Sequence, residues 1–178
     1  MKIDKSAMIL PASSLGGLVI GMPVTELREL VLGIGVYEKG SFRMIGPFDA
    51  RYTIGNGSVE ISVDIRNGRV FRISALKGYN GTLFGRIRVG MLASEVFSLY
   101  PEFYYNEAEE VIKHKTIAGV TLDLPEVDPP PAIVPSLPIH AISVHYPDFF
   151  AIDAGNWYKN YVNPGQSVNP GQSTHFWR

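Results

Sequence analysis

Hydrophobic and polar positions alternate most regularly from Val59 to Ile65, where Val59, Ile61, Val63 and Ile65 are separated by Glu60, Ser62 and Asp64. A period of two is that of a strand with one buried face. Asn67-Gly68 is the dipeptide favoured in two-residue hairpin turns, and residues 69–75 return with Val70 and Arg72 on one face and Phe71, Ile73 and Ala75 on the other. A β-hairpin over 59–75 follows.

The rhythm is helical further upstream. After the apolar LGGLVI of residues 15–20 and a turn at Gly21, Val24, Leu27, Leu30 and Val31 recur at helical spacing. Pro23 suits a first helical turn, Thr25 and Glu26 sit at the positive end of the helix dipole, and Gly33 and Gly35 end the element.

The same rhythm returns 69 residues later. SLGGLVIGMPVTELREL at 14–30 is echoed by LFGRIRVGMLASEVFSL at 83–99, with Gly16 on Gly85, Ile20 on Val89, Gly21 on Gly90, Met22 on Met91, Glu26 on Glu95 and Leu27 on Val96. Self-similarity at a fixed period is the mark of a repeated unit. The second helix is expected to bury Leu92, Val96, Leu99 and Tyr100, and Pro101 closes it by forcing Tyr100 out of the helical region. Strands follow near 109–116 and 120–124, and IHAISVHY near 139–146 forms the last.

The expected fold is therefore α+β, with two tandem repeats, each a short helix packed on an antiparallel sheet, the two sheets being either separate or joined into one. The first repeat spans 1–81 and the second 82–150. Residues 125–138 replace the tight turn of the first repeat by a proline-rich loop, expected to be an extended and stiff surface excursion, since proline fixes φ and removes a backbone donor. Residues 151–178, which hold VNPGQS twice and then THFWR, read as a flexible tail in which Phe176 and Trp177 could anchor on a neighbour.

Composition narrows the function. The chain is 46% hydrophobic and 19% charged, ordinary for a folded domain, and has no cysteine, which excludes disulfides, thiolate metal sites and a cysteine nucleophile. No apolar run is long enough for a membrane span and no signal peptide is evident, so the expectation is a cytoplasmic protein without membrane contact. The charge is unevenly spread. Residues 1–81 hold ten Lys/Arg against seven Asp/Glu, and residues 82–150 four against nine. An acidic second half favours a basic partner.

No catalytic or cofactor pattern emerges. The turns at Gly21 and Gly90 lack the lysine and hydroxyl of a phosphate loop. His140 and His145 fall on opposite faces of one strand, and His114 and His175 lie elsewhere, so no metal site is expected. Glu26 and Glu95 are explained by their places in first helical turns rather than as a catalytic pair. Arg66, Arg69, Arg72, Arg86 and Arg88 have only Phe71 among them, so nucleic acid is not the expected partner.

The doubled unit of apolar strand, Gly-Met, short helix and antiparallel strands resembles the repeats of β-lactamase inhibitory protein and of related small outer-membrane-assembly lipoprotein domains. The later stretch, with GVTLDLPEVDPPP and IHAISV, is similar to bacterial immunity proteins found beside polymorphic toxins. The resemblance implies a non-enzymatic protein that binds and neutralises a toxin with a basic surface. Its expected contact residues are Glu107, Glu109, Glu110, Asp123, Glu126 and Asp128 with the proline-rich loop. The alternative is a small-ligand protein or enzyme with its pocket between the repeats.

Overall fold

The computed structural model describes residues 2–34 and 39–147. The expected tail at 151–178, with its doubled VNPGQS, His175, Phe176 and Trp177, lies outside the described residues, as does Gly35. Among the described residues, ten strands and two α-helices form an α+β fold. Two short strands, β1 (Ser14–Leu15) and β2 (Leu18–Val19), make a small hairpin around Gly16 and Gly17. The chain then forms a 3-10 turn, Val24–Leu27, which passes into α1 (Arg28–Leu32). Four strands follow, β3 (Ser41–Met44), β4 (Asp49–Ile54), β5 (Val59–Asp64) and β6 (Arg69–Ala75). After them come α2 (Ala93–Leu99), β7 (Phe103–Asn106), β8 (Val111–His114), β9 (Val120–Asp123) and β10 (Ala141–His145).

Strands β3 to β10 form one antiparallel sheet in the order β3-β4-β5-β6-β10-β9-β8-β7. On each side of the central β6–β10 seam lie four strands in chain order. Several backbone hydrogen bonds recur at a spacing of 69 residues. Gly21 N donates to Val70 O at 2.7 Å and Gly90 N to Ile139 O at 2.8 Å. Val24 N donates to Gly68 O at 2.7 Å and Ala93 N to Leu137 O at 2.9 Å. Gly21 and Gly90 both have φ of +87°, the left-handed region that glycine enters without steric cost.

One face of the sheet carries the core. Val59, Ile61, Ile73, Leu122, Ile142 and Val144 project from it into a cluster with Leu15 and Leu18 of the hairpin, Leu27 and Leu30 of the first helical segment, and Ala93 and Val96 of α2. The second face is polar. Ser62, Arg72, Ser74, Ser143, Thr121, Asp123 and Lys113 follow one another across neighbouring strands there. This division is the usual one for an antiparallel sheet with helices on one side only. No helix among the described residues is long and apolar enough to cross a membrane.

Several expected details change. The 59–75 hairpin does not have a two-residue turn, because β5 ends at Asp64 and β6 begins at Arg69. Residues 65–68 form the connection, closed by a 2.7 Å bond from Gly68 N to Asp64 O with Gly68 at φ +66°. A bulge between Ser62 and Val63 pairs Ser62 with Arg72 and Val63 with Val70, so Phe71 is the extra residue. Val70 therefore joins Ile73 and Ala75 in the main core cluster, while Phe71, also buried, packs outside it.

The buried stripe of α2 is Ala93 and Val96, while Leu92 and Leu99 are 41% and 40% exposed. A helix of seven residues presents barely two turns, too short to bury four large positions. Tyr100, at φ −139°, is outside the helix, as the following Pro101 requires. The strand expected near 109–116 is β8, which pairs in a hairpin with β7 just upstream, and β3 and β4 flank Gly46 and Pro47. The proline-rich loop is only half an excursion. Its second part forms a 3-10 turn, Val134–Ser136, whose Val134 is buried, and Leu137 N closes it on Val134 O at 3.0 Å.

Candidate functional site

The six acidic residues expected at a partner surface divide into two environments. Five of them lie on the β7–β8 hairpin or on the first part of the proline-rich loop. The β7–β8 register, with Asn106 opposite Val111, leaves residues 107–110 as the turn, and Glu107, Glu109 and Glu110 all fall there. The loop leaves β9 at Asp123 and carries Glu126 and Asp128, both exposed.

Turn and loop are tied together. Asp128 N–H donates to Glu110 Oε2 at 2.9 Å. Both residues have left-handed backbone, Glu110 at φ +56° and Asp128 at φ +49°. Such a conformation disfavours an L-residue by about 1–2 kcal/mol, so each is held by its surroundings. Glu109 is partly neutralised, since both of its carboxylate oxygens accept from Lys113 Nζ at 2.9–3.0 Å.

Beneath this acidic corner is Tyr105, whose hydroxyl is buried and makes no hydrogen bond with a described residue. Burial, and then the charges of Asp128, Glu110 and Glu107, push its phenol above its ordinary value. The bond from Asp128 N–H to Glu110 Oε2 holds the loop against the turn that carries these acids. Between Glu126 and Asp128 stands Val127, 88% exposed, the most exposed large hydrophobic residue described. Neither Tyr105 nor Val127 is evident from charge counting. The signal for Val127 is an apolar residue between two acids and before a proline run, with no periodic partner to bury it.

Asp123 belongs to a different site. It projects from β9 onto the polar face of the sheet and accepts from Arg72 Nη2 at 2.6 Å and from Ser143 Oγ at 2.6 Å through Oδ2, with Thr121 Oγ1 at 3.2 Å on Oδ1. Arg72 Nη2 also reaches Ser143 Oγ at 3.0 Å, and Ser74 Oγ lies 2.8 Å from Ser143 Oγ. The structure thus does not bring Asp123 to the corner of the other five acids. Its charge is consumed by a guanidinium from β6, the strand two places away in the sheet.

His145 closes this network at the end of β10. It is 2% exposed and its Nδ1 lies 2.7 Å from Tyr146 O, which makes Nδ1 the protonated nitrogen. Burial, aided by the charges of Arg72 and Lys113, lowers its pKa to about 4 against the opposing effects of the Tyr146 carbonyl and Asp123. It is neutral at physiological pH.

The remaining candidates separate. His140 is exposed outside β10, while His114 Nδ1 accepts from Thr116 N and Ile117 N at 3.2 and 3.1 Å and its ring stacks edge-on to Phe103 at 5.0 Å. Among the described residues no group of three or more His, Asp and Glu is arranged to hold a metal ion. Glu95 Oε2 accepts the Leu92 N–H at 2.8 Å and so serves the start of α2, while Glu26 lies in the 3-10 turn.

No protein-family model and no curated protein matches the chain. Among solved structures it is similar to that of the uncharacterized protein yfeY from Escherichia coli, with a TM-score of 0.52 and 12% identity over 76% of this chain and 98% of that one. At this identity the likeness concerns the fold.

Proposed function

We propose that the chain is a non-enzymatic protein-binding module that captures a basic protein surface, as an immunity protein occludes its toxin. The observation that carries the reading is Val127, an exposed apolar side chain between Glu126 and Asp128 on a loop tied to the acidic turn by the bond from Asp128 N–H to Glu110 Oε2. Interfaces draw most of their affinity from a few apolar anchors inside a polar rim, and complementary charge speeds encounter and selects the partner. The left-handed backbone at Glu110 and Asp128 supports it too, because strained positions persist where the surroundings hold them in place and gather at binding sites.

We also infer that residues 1–81 and 82–150 are tandem repeats. The support is the strand order, symmetric about the seam, and the hydrogen bonds that recur at a spacing of 69 residues. On this reading the functional surface is what the second repeat adds to the shared plan, the acidic hairpin turn and the proline-rich loop.

Co-expression with the product of the neighbouring gene, followed by pull-down and a growth assay, tests the function. The expected result is a stable complex and neutralised toxicity. Val127→Asp should weaken the complex by at least about tenfold, and Glu126→Lys with Asp128→Lys should remove the salt dependence of its association rate. Absence of a complex and of neutralisation, or binding indifferent to all three substitutions, would sink the reading.

A further inference from the structure

A second surface lies at the far side of the sheet from the acidic corner, where the β3–β4 connection meets the β5–β6 connection. Asp49 and Asp64 face each other there across β4 and β5. Like charges placed directly opposite repel, and each carboxylate has its own cation. Asp64 is 1% exposed and is gripped by Arg66, with Nε and Nη2 both at 2.8 Å from its oxygens. Asp49 Oδ2 accepts from Arg51 Nε at 3.2 Å, but Asp49 Oδ1 is buried and accepts no hydrogen bond from any described residue.

These carboxylates border a cavity of about 260 Å3, walled on its apolar side by Pro47, Phe48 and Phe71. Its lining carries Asp49, Asp64 and Arg66, and Arg51 pairs with Asp49 from outside the lining, which leaves Asp49 Oδ1 as the acceptor without a described donor. The Arg66 guanidinium stands 4.6 Å from the centroid of the Phe48 ring. The chain thus already seats one cation on an aromatic face here, the arrangement that aromatic cages use for organic cations. Phe48 itself is 48% exposed, so the cavity opens to the exterior past its ring.

We propose that this cavity binds the head of a cationic side chain, an alkylammonium or alkylguanidinium, which donates an N–H to Asp49 Oδ1 while its alkyl stem lies along Phe48 and Phe71. An oxygen with an unfilled acceptor position selects cations that carry a hydrogen over quaternary ones. The walls select an alkyl stem, because lysine and arginine bury their methylenes on apolar surface. In making the ligand a side chain of a partner, the inference rests on the basic partner proposed above. The cation site itself is tested on the isolated chain, so its failure is distinguishable from failure of the partner reading.

The test is a titration of the 15N-labelled full chain with n-butylammonium, n-butylguanidinium, tetramethylammonium and 1-butanol, followed by amide shifts. The expected result is saturable shifts confined to residues around Gly46, Asp49 and Phe71 with the first two probes. Tetramethylammonium and 1-butanol should bind at least about tenfold more weakly. Asp49→Asn should weaken binding by a similar factor. Phe48→Leu, at a half-exposed position that leaves the fold intact, should weaken it several-fold, and the remote Glu102→Gln should leave it unchanged. Shifts that are absent or spread over the surface, tetramethylammonium bound as well as butylammonium, or a folded Phe48→Leu chain that binds like the parent would each overturn the proposal.

Discussion

Ser74 and Ser143 oppose each other across the β6–β10 seam, with their hydroxyl oxygens 2.8 Å apart. Ser143 has one hydroxyl hydrogen, and at 2.6 Å it goes to Asp123 Oδ2. The hydrogen between the serines therefore belongs to Ser74. Ser143 is the relay of the pair, donor to a carboxylate and acceptor from a hydroxyl and from Arg72, while Ser74 makes one neutral bond. Urea unfolding should find Ser74→Ala less stable by about 1 kcal/mol and Ser143→Ala by about 2–3 kcal/mol, since a bond to a charged group is worth roughly twice a neutral one. The double variant should cost little more than Ser143→Ala alone. Equal single effects that add would contradict the shared network.

Asp123 gives the contrast with the acidic corner. Replacing it by Asn removes the charge that Arg72 faces at 2.6 Å, and both side chains of the pair are 18% exposed. Breaking a largely buried pair costs more than it returns in solvation, and for this partly solvated one a loss of about 2–3 kcal/mol is expected. Affinity for a basic partner should not change. Glu126→Gln should do the reverse, weakening association at low salt and leaving the unfolding midpoint in place. Denaturation and binding measured on the same two variants decide the matter.

That division of the carboxylates also marks what could be read from the chain alone. The 59–75 hairpin, the Gly21 and Gly90 turns and the end of α2 before Pro101 are legible because their causes are local: a period of two, a glycine at positive φ, a proline ring. β3 and β7 are not, since both are four-residue strands at the edges of the sheet, SFRM being exposed at every position despite its alternation and FYYN carrying none. The role of Asp123 is hidden for a different reason. Arg72 lies 51 residues away in the chain, and only the seam brings β9 within its reach. The bulge that moves Phe71 out of the main core cluster likewise depends on pairing with β5, so the face assigned to Val70 by counting was reversed. Of the candidate site, the charges are visible in sequence, but the corner exists because a hairpin turn and a proline loop meet over Tyr105.

His145 makes stability depend on pH. Its folded pKa of about 4 lies below the ordinary 6.5, so the unfolded chain binds the proton more readily. Stability is full above about pH 6.5, falls as the pH drops towards 4, and has then lost what this group can take, on the order of 3 kcal/mol. Melting temperatures across pH 4 to 7 should decline on the acid side. His145→Phe, which has no proton to gain, should flatten that part of the curve. A decline unchanged in the variant would assign it to other groups.

Two glycines in left-handed backbone test how much of the fold rests on close approach rather than on φ. Gly119 at φ +77° receives the His145 N–H on its carbonyl oxygen at 3.1 Å, and a β-carbon there would come 2.5 Å from Ala12 Cβ and 2.8 Å from both Ala12 Cα and His145 O. Two of those three contacts are backbone, so nothing can swing aside. Gly90 at φ +87° has no atom within 4 Å of the same position. Gly90→Ala should cost only the conformational term, about 1 kcal/mol. Gly119→Ala must in addition separate the N-terminal segment from the end of β10, and should cost at least about 3 kcal/mol or prevent folding. Chemical denaturation of the two variants side by side measures the difference, and similar losses would mean that the N-terminal segment does not pack at Gly119 as described.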